Sequence, residues 1–157
     1  MADVAGLVIR PFRLEDVDRW TRTELHRQHL LGGLEGSGDY LAAVLADGRI
    51  AGKIGIRYDE HPDAGTLFQF DVVERLRNKG IGTALIGRAE QVISDHGLDR
   101  ATLGVEESNE GAIRLYRRLG YQEFASEPAE WDQEAPDGTS YRYHCLCLLM
   151  HRSLTSV

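Results

Sequence analysis

An apolar run, Leu67-Phe68-Gln69-Phe70-Asp71-Val72-Val73, leads into Arg77-Asn78-Lys79-Gly80-Ile81-Gly82 and then into a helix-patterned segment, Thr83 to His96. A strand, a tight glycine turn flanked by cations, and a helix start together constrain this chain more than any other feature. The first turn of a helix leaves backbone N–H groups without intrahelical partners, and the macrodipole adds roughly half a positive charge there. Gly80 and Gly82 have no Cβ, so a ligand can come close to the backbone, and Arg77 and Lys79 add charge. The arrangement suits a phosphate group.

Three phosphate-binding patterns compete for this stretch. A P-loop requires GxxxxGK followed by Ser or Thr. Gly82 and Gly87 have that spacing, but Arg88 and Ala89 follow them. A dinucleotide fingerprint requires GxGxxG, and Gly80-Ile81-Gly82 is followed by Thr83-Ala84-Leu85 without the third glycine. The third pattern, R/Q-x-x-G-x-G/A, fits Arg77 to Gly82 throughout. Taken alone, the hexapeptide also reads as a plain strand-to-helix connection.

A second block narrows the choice. Strand-patterned Ala101 to Glu106 is followed by Ser108-Asn109, a short helix pattern from Glu110 to Leu119, then Gly120 and Tyr121. The string Asn109-Glu110-Gly111-Ala112-Ile113-Arg114-Leu115-Tyr116-Arg117-Arg118-Leu119-Gly120-Tyr121 resembles the N-x-x-A-x-x-L-Y-x-x-L-G-[FY] signature of the GNAT superfamily of N-acetyltransferases. Both signatures occur in the family's order and spacing, over about residues 66 to 124. The opening Leu7-Val8-Ile9-Arg10-Pro11-Phe12 and the paired runs at 40–46 and 49–58 are similar as well.

Length and composition set the outer bounds. The 157 residues suit one domain, 1–157, and the apolar and charged fractions are those of an ordinary globular protein. No apolar run is long enough to span a membrane, and Met1 to Gly6 lacks the basic and apolar regions of a signal peptide, so a cytoplasmic location is expected. The net charge of −7 disfavours nonspecific nucleic-acid binding and is compatible with a cationic substrate. Cys145 and Cys147, with His144 and His151 nearby, read as small core residues in one extended segment rather than as a disulfide or a metal site.

Along the chain, Leu7 to Pro11 reads as a first strand and Leu14 to His26 as a helix. The glycine-rich stretch from Arg27 to Asp39 reads as a loop with one helical turn. Tyr40 to Ala46 and Arg49 to Tyr58 form a hairpin about Asp47-Gly48, and Thr66 to Val73 is a fourth strand. Leu85, Ala89, Val92, Ile93 and His96 share one face of the following helix, which Gly97 ends. Strand 101–106, helix 110–119 and strand 121–126 follow, then a polar loop from Glu127 to Ser140 and a last strand, Tyr141 to His151. The expected fold is α/β: a GNAT-like, mixed, mostly antiparallel sheet flanked by helices. The resemblance adds that its central fourth and fifth strands run parallel and splay apart around the cofactor.

The resemblance implies acetyl-CoA as co-substrate, with its pyrophosphate held by backbone N–H groups of the turn Arg77, Asn78, Lys79, Gly80, Ile81, Gly82 and Thr83. It implies further that the pantetheine arm lies along Val72 and Val73 like an added strand, with an N–H near Val72 facing the thioester oxygen. Asn109 would hold the arm, while its competing role is to cap the 110–119 helix. Tyr116 stands at the family's "L-Y" position. A phenol there can donate a proton to the departing thiolate, although Tyr116 shares a helical face with Ala112 and Leu119 and also suits core packing.

The general base is less determined. Two positions where family members carry carboxylates hold Gly104 and Phe68-Gln69 here. Glu106, on the strand face of residue 104, is the first candidate, with Asp71, His26 and His29 behind it. A water relay, or an amine that arrives deprotonated, also satisfies the chemistry. The acceptor is expected to be a small-molecule or peptide amine selected by residues 26–39 and 127–144, whose carboxylates and aromatics suit a cation or form an ordinary solvated surface. Neither nucleic acid, membrane nor metal is expected. A homodimer is common in such families. The alternative function is a noncatalytic acyl-CoA-binding sensor or regulatory module.

Overall fold

The computed structural model describes residues 6–21, 23–36 and 38–155. The readings made on Met1 to Ala5, Arg22, Ser37, Ser156 and Val157 lie outside the described residues. The chain forms two compact units, one of residues 1–101 with 154–157 and one of residues 102–153.

In the first unit, strands β1 (Val8–Pro11), β2 (Asp39–Val44), β3 (Ile50–Arg57) and β4 (Ala64–Val72) lie side by side in that order, each antiparallel to the next. The β2–β3 hairpin turns at Asp47-Gly48, where Gly48 has φ +88° and Asp47 accepts from the Arg49 N–H. Alternation along β3 directs Gly52 to one face of the sheet and Lys53 to the other.

Helix α3 (Ile81–Asp95) covers the Gly52 face with Ile81, Leu85, Ile86, Ala89 and Ile93. A Cβ on Gly52 would come within 3.0 Å of Leu85, and one on Gly65 within 2.5 Å of Ile93, so glycine permits this close approach. His96 is exposed rather than part of the buried stripe. It follows the helix end and stacks on Tyr58 with ring centroids 4.5 Å apart.

The segment from residue 14 to 35 differs from the sequence reading. A 3-10 turn (Leu14–Asp16) and a short helix α1 (Val17–Trp20) end where Thr21 turns extended. A second helix, α2 (Glu24–Glu35), occupies the stretch expected to be a loop. Thr23 divides the two, because its hydroxyl accepts from the His26 N–H at 3.1 Å and starts a new helix. The glycines suggested irregular backbone, but Gly33 serves packing instead. A Cβ there would meet Gln69 Oε1 at 2.8 Å and Phe68 at 3.3 Å, so its absence lets α2 press on β4. Leu30, Leu31 and Leu34 join Phe12, Val17, Tyr40 and Phe68 in the core under α1 and α2. Buried Asp16 ties α1 to β1 through two bonds from Arg10, at 2.7 and 3.0 Å. That guanidinium holds the Asp16 carboxyl below the usual carboxylate range.

In the second unit, which takes strand β5 (Arg100–Glu106) from Thr102 onward, the strand order is β5, β7 (Ser140–Ser153), β6 (Gln122–Glu134), with helix α4 (Glu110–Arg118) between β5 and β6 in the chain. The expected loop from Glu127 to Ser140 shrinks to five residues. Residues 127–134 continue β6 and pair in unbroken antiparallel register with β7, from Glu127 opposite Cys147 to Glu134 opposite Ser140. Their polar composition reflects an exposed ribbon, which needs no apolar face. The turn is closed by Ala135 and Thr139, with Gly138 at φ +87°. Trp131 belongs to the strand and packs against Tyr143, with centroids 5.2 Å apart. Cys145 and Cys147 are free thiols with sulfurs 3.7 Å apart.

Candidate functional site

The turn from Arg77 to Thr83 belongs to the first unit. Asn78 has φ +63° and Gly80, the residue preceding α3, has φ +86°. Two left-handed residues so close together swing the backbone N–H groups toward one side, as in an anion-binding nest. The Ala84 N–H bonds to Gly80 O at 3.0 Å, so the N–H groups of α3 before it lie in the helix's unpaired first turn. No atom lies within 4 Å of a Cβ built on Gly80, which leaves open space over the turn. The Arg77 N–H is already committed to Glu74 O at 3.2 Å, while the Arg77 guanidinium reaches back to Val72 O at 3.0 Å and to Asp71 at 3.3 Å. That side chain braces the end of β4 against the turn.

Register defines what β4 offers. Val72 pairs with Gly52, and the Val73 N–H bonds to Ala51 O at 2.8 Å. In an antiparallel ladder bonded pairs alternate with non-bonded ones, so Val72 is a non-bonded position whose N–H points away from β3. Val73 has its N–H committed to β3. Of the two residues expected to carry the arm, Val72 therefore presents the outward donor.

The second unit holds the other candidates. Asn109 Oδ1 accepts from the Ala112 N–H at 3.2 Å, so the capping role is realised at the start of α4. Its side-chain amide group remains a donor for a second partner. Tyr116 is 8% exposed, and its ring lies edge-on to Tyr121 at 6.1 Å. Burial pushes its phenol up to about 12, which keeps the proton on oxygen at neutral pH. Glu106 Oε2 accepts from Tyr143 at 2.9 Å and from Ser108 at 3.3 Å.

The remaining base candidates are differently placed. Asp71 is paired with Arg77 at 3.3 Å, and His26 and His29 are helical residues of α2 rather than loop residues. Acidic residues of the β6–β7 ribbon are partnered too. Arg142 bridges Glu130 and Asp132 at 3.2 Å each, and His144 lies 3.0 Å from Glu130. These pairs favour the ordinary-surface reading of that ribbon over a cation pocket. Among the described residues no three metal-ligating side chains gather at one place, and no helix is long and apolar enough to cross a membrane.

One group of residues escaped the sequence reading. Buried Lys53 and Tyr40 and half-buried Gln69 form a polar network that reaches β4. Its only sequence signal is a lysine in the otherwise apolar strand Ile50–Ile56.

Comparison with known proteins bears on the family and the fold. The family model described as "Acetyltransferase (GNAT) family" matches residues 4–121. A mycothiol acetyltransferase from Pseudarthrobacter chlorophenolicus is 31% identical over 103 residues, covering 63% of this chain and 30% of that protein. The chain thus spans about a third of the length of the curated mycothiol acetyltransferases it matches; for the one from Salinispora arenicola the share is 36%.

Among solved structures, the ribosomal-protein-S18-alanine N-acetyltransferase from Escherichia coli superposes with a TM-score of 0.74 at 18% identity, covering 96% of each chain. An aminoglycoside 6'-N-acetyltransferase complexed with coenzyme A gives a TM-score of 0.72 at 15% identity, covering 96% of this chain and 98% of that one. At such identities the likeness is one of fold: the mixed α/β sheet with flanking helices expected from the sequence.

Proposed function

The chain is a member of the GNAT family of acetyltransferases, and on that premise we propose that it transfers an acetyl group from acetyl-CoA to the primary amine of a small molecule or peptide by direct attack. The observation that carries this reading is the Val72-to-Thr83 segment. An outward N–H on Val72 lies a few residues before a turn with two left-handed residues and an open helix start. These residues fit an extended cofactor with a phosphate end. The turn N–H groups and Lys79 would hold the pyrophosphate, and Val72 and Val73 would carry the arm. When bound, acetyl-CoA supplies an acetyl group activated as a thioester.

The residues divide the remaining work. The Val72 N–H would stabilise negative charge on the carbonyl oxygen as the amine attacks. Asn109 would hold the arm with the side-chain amide that capping leaves over. Tyr116, protonated at neutral pH, would donate to the departing sulfur as general acid. Glu106, hydrogen-bonded to Tyr143 and Ser108, would take the proton lost by the amine. Such a reaction fits a cytoplasmic setting, and sedimentation would establish whether the chain works as a homodimer.

The test is a panel of amines, small cationic molecules and peptides, assayed for free thiol released from acetyl-CoA. Amine-dependent release that collapses in Tyr116→Phe supports the proposal. Acetyl-CoA binding with no release for any amine would favour the noncatalytic sensor instead.

A further inference from the structure

Strand β4 carries a bulge at Gln69. Gly55 pairs with Phe68 and Lys53 with Asp71, so Gln69 and Phe70 together oppose Ile54. Gln69 takes φ +48°, an unfavourable value for a residue with a side chain, which persists only where surrounding contacts enforce it. Three contacts meet there. Lys53 Nζ donates to Gln69 O at 2.6 Å, the Tyr40 hydroxyl donates to Gln69 Oε1 at 2.7 Å, and Gln69 Nε2 donates to His29 O of α2 at 3.2 Å. The bulge is thus pinned by its own carbonyl to β3 and by its side chain to β2 and α2.

Lys53 is the unusual member. It is 5% exposed, with Nζ 3.3 Å from the Tyr40 oxygen, 5.7 Å from the Tyr40 ring centre and 5.8 Å from that of Trp20 on α1. Asp71 on β4 is the acid whose charge favours its protonation, and Asp71 is shared with Arg77. Arg57, over the Phe68 ring at 4.0 Å, is the nearby cation on β3. Burial lowers the ammonium to about 8. A buried charge of this kind costs stability even when hydrogen-bonded, a cost that an apolar residue of similar size would avoid.

We propose that Lys53 is a positioning residue for acyl transfer, holding the Gln69 bulge and thereby setting the course of Asp71 to Val73. The inference rests on the function proposed above, in which that segment carries the cofactor arm. Its physical basis is register. Without the extra residue, Val72 would lie opposite Ala51 instead of Gly52, and every side chain from Phe70 onward would change face. The outward direction of the Val72 N–H therefore depends on the bulge, and the bulge depends on a donor for the Gln69 carbonyl.

The test compares Lys53→Met with the wild-type chain by calorimetry, using acetyl-CoA and, separately, adenosine 3'-phosphate 5'-diphosphate, which keeps the pyrophosphate and lacks the arm. We expect acetyl-CoA affinity to fall about tenfold in the variant, while affinity for the diphosphate stays unchanged. Circular dichroism establishes that the variant is folded. Should it not fold, the wild-type chain itself supplies the measurement. Its acetyl-CoA affinity is expected to weaken as pH rises through about 8, where the ammonium is lost, and its diphosphate affinity is not. Lys53→Arg, which keeps a cation at the carbonyl, should retain affinity without this alkaline loss. Unchanged acetyl-CoA affinity in folded Lys53→Met, or a flat wild-type profile through that range, overturns the inference alone. Failure of the wild-type chain to bind acetyl-CoA at any pH overturns the proposed function and this inference with it.

Discussion

Tyr116 is the acid of the proposed reaction, and burial sets how it holds its proton. A phenol near its ordinary value already holds its proton at neutral pH, and burial moves it further, to about 12. An acid with that behaviour keeps activity up to high pH, so any alkaline loss below that range must come from another group. We expect Tyr116→Phe to lower kcat about 100-fold while acetyl-CoA affinity holds, checked by steady-state kinetics beside calorimetry. Asn109 caps α4 and, in the proposed function, would also hold the cofactor arm, and the two roles separate in different measurements. Asn109→Ala removes the cap on α4 and should cost about 1 kcal/mol in chemical denaturation, whatever its effect on turnover. Both candidates could be named from the sequence because they stand at set positions of a motif that resembles the family's. Lys53 was not. A single lysine in an apolar strand gives no sign of where its amine ends, and only the fold brings it to Gln69 O.

At the scale of elements, legibility followed how local the determining contacts are. The hairpin at Asp47-Gly48, the turn before α3 and the helix after Asn109 are set by neighbours in sequence, and each formed as expected. Helix α2 is set from a distance. Its Gly32-Gly33 pair is a poor helix former in isolation, and Gly33 is tolerated because the space its side chain would fill belongs to Phe68, Gln69 and Tyr40. The two glycines should therefore respond in opposite directions. Gly33→Leu overpacks the contact with β4 and is expected to lose about 2 kcal/mol. Gly32→Ala, with nothing within 4 Å of the new Cβ, is expected to gain roughly 0.5–1 kcal/mol. Urea titrations of both variants check the pair, and a Gly33→Leu chain as stable as wild type would contradict the packing of α2. The long β6–β7 ribbon was missed for a related reason. Exposed paired strands need no alternation of apolar residues, so residues 127–134 carried only the polar signature of a loop.

For the whole molecule, the family and the fold class were readable because two separated motifs occur in one order along one chain, and the family match over residues 4–121 agrees with them. The acceptor amine was not readable, because the surfaces proposed to select it carry no fixed motif. The structure narrows those surfaces by pairing Glu130 and Asp132 with Arg142 and by making residues 24–35 a helix. The central claim remains that the Val72-to-Thr83 segment is a cofactor cradle. It is tested most directly by calorimetric titration of the protein with acetyl-CoA, beside a Gly82→Trp variant that puts an indole into the turn. The account predicts saturable binding by the wild-type chain, lost in a variant that stays folded. Absence of binding by the folded wild-type chain, or undiminished binding by Gly82→Trp, would contradict it.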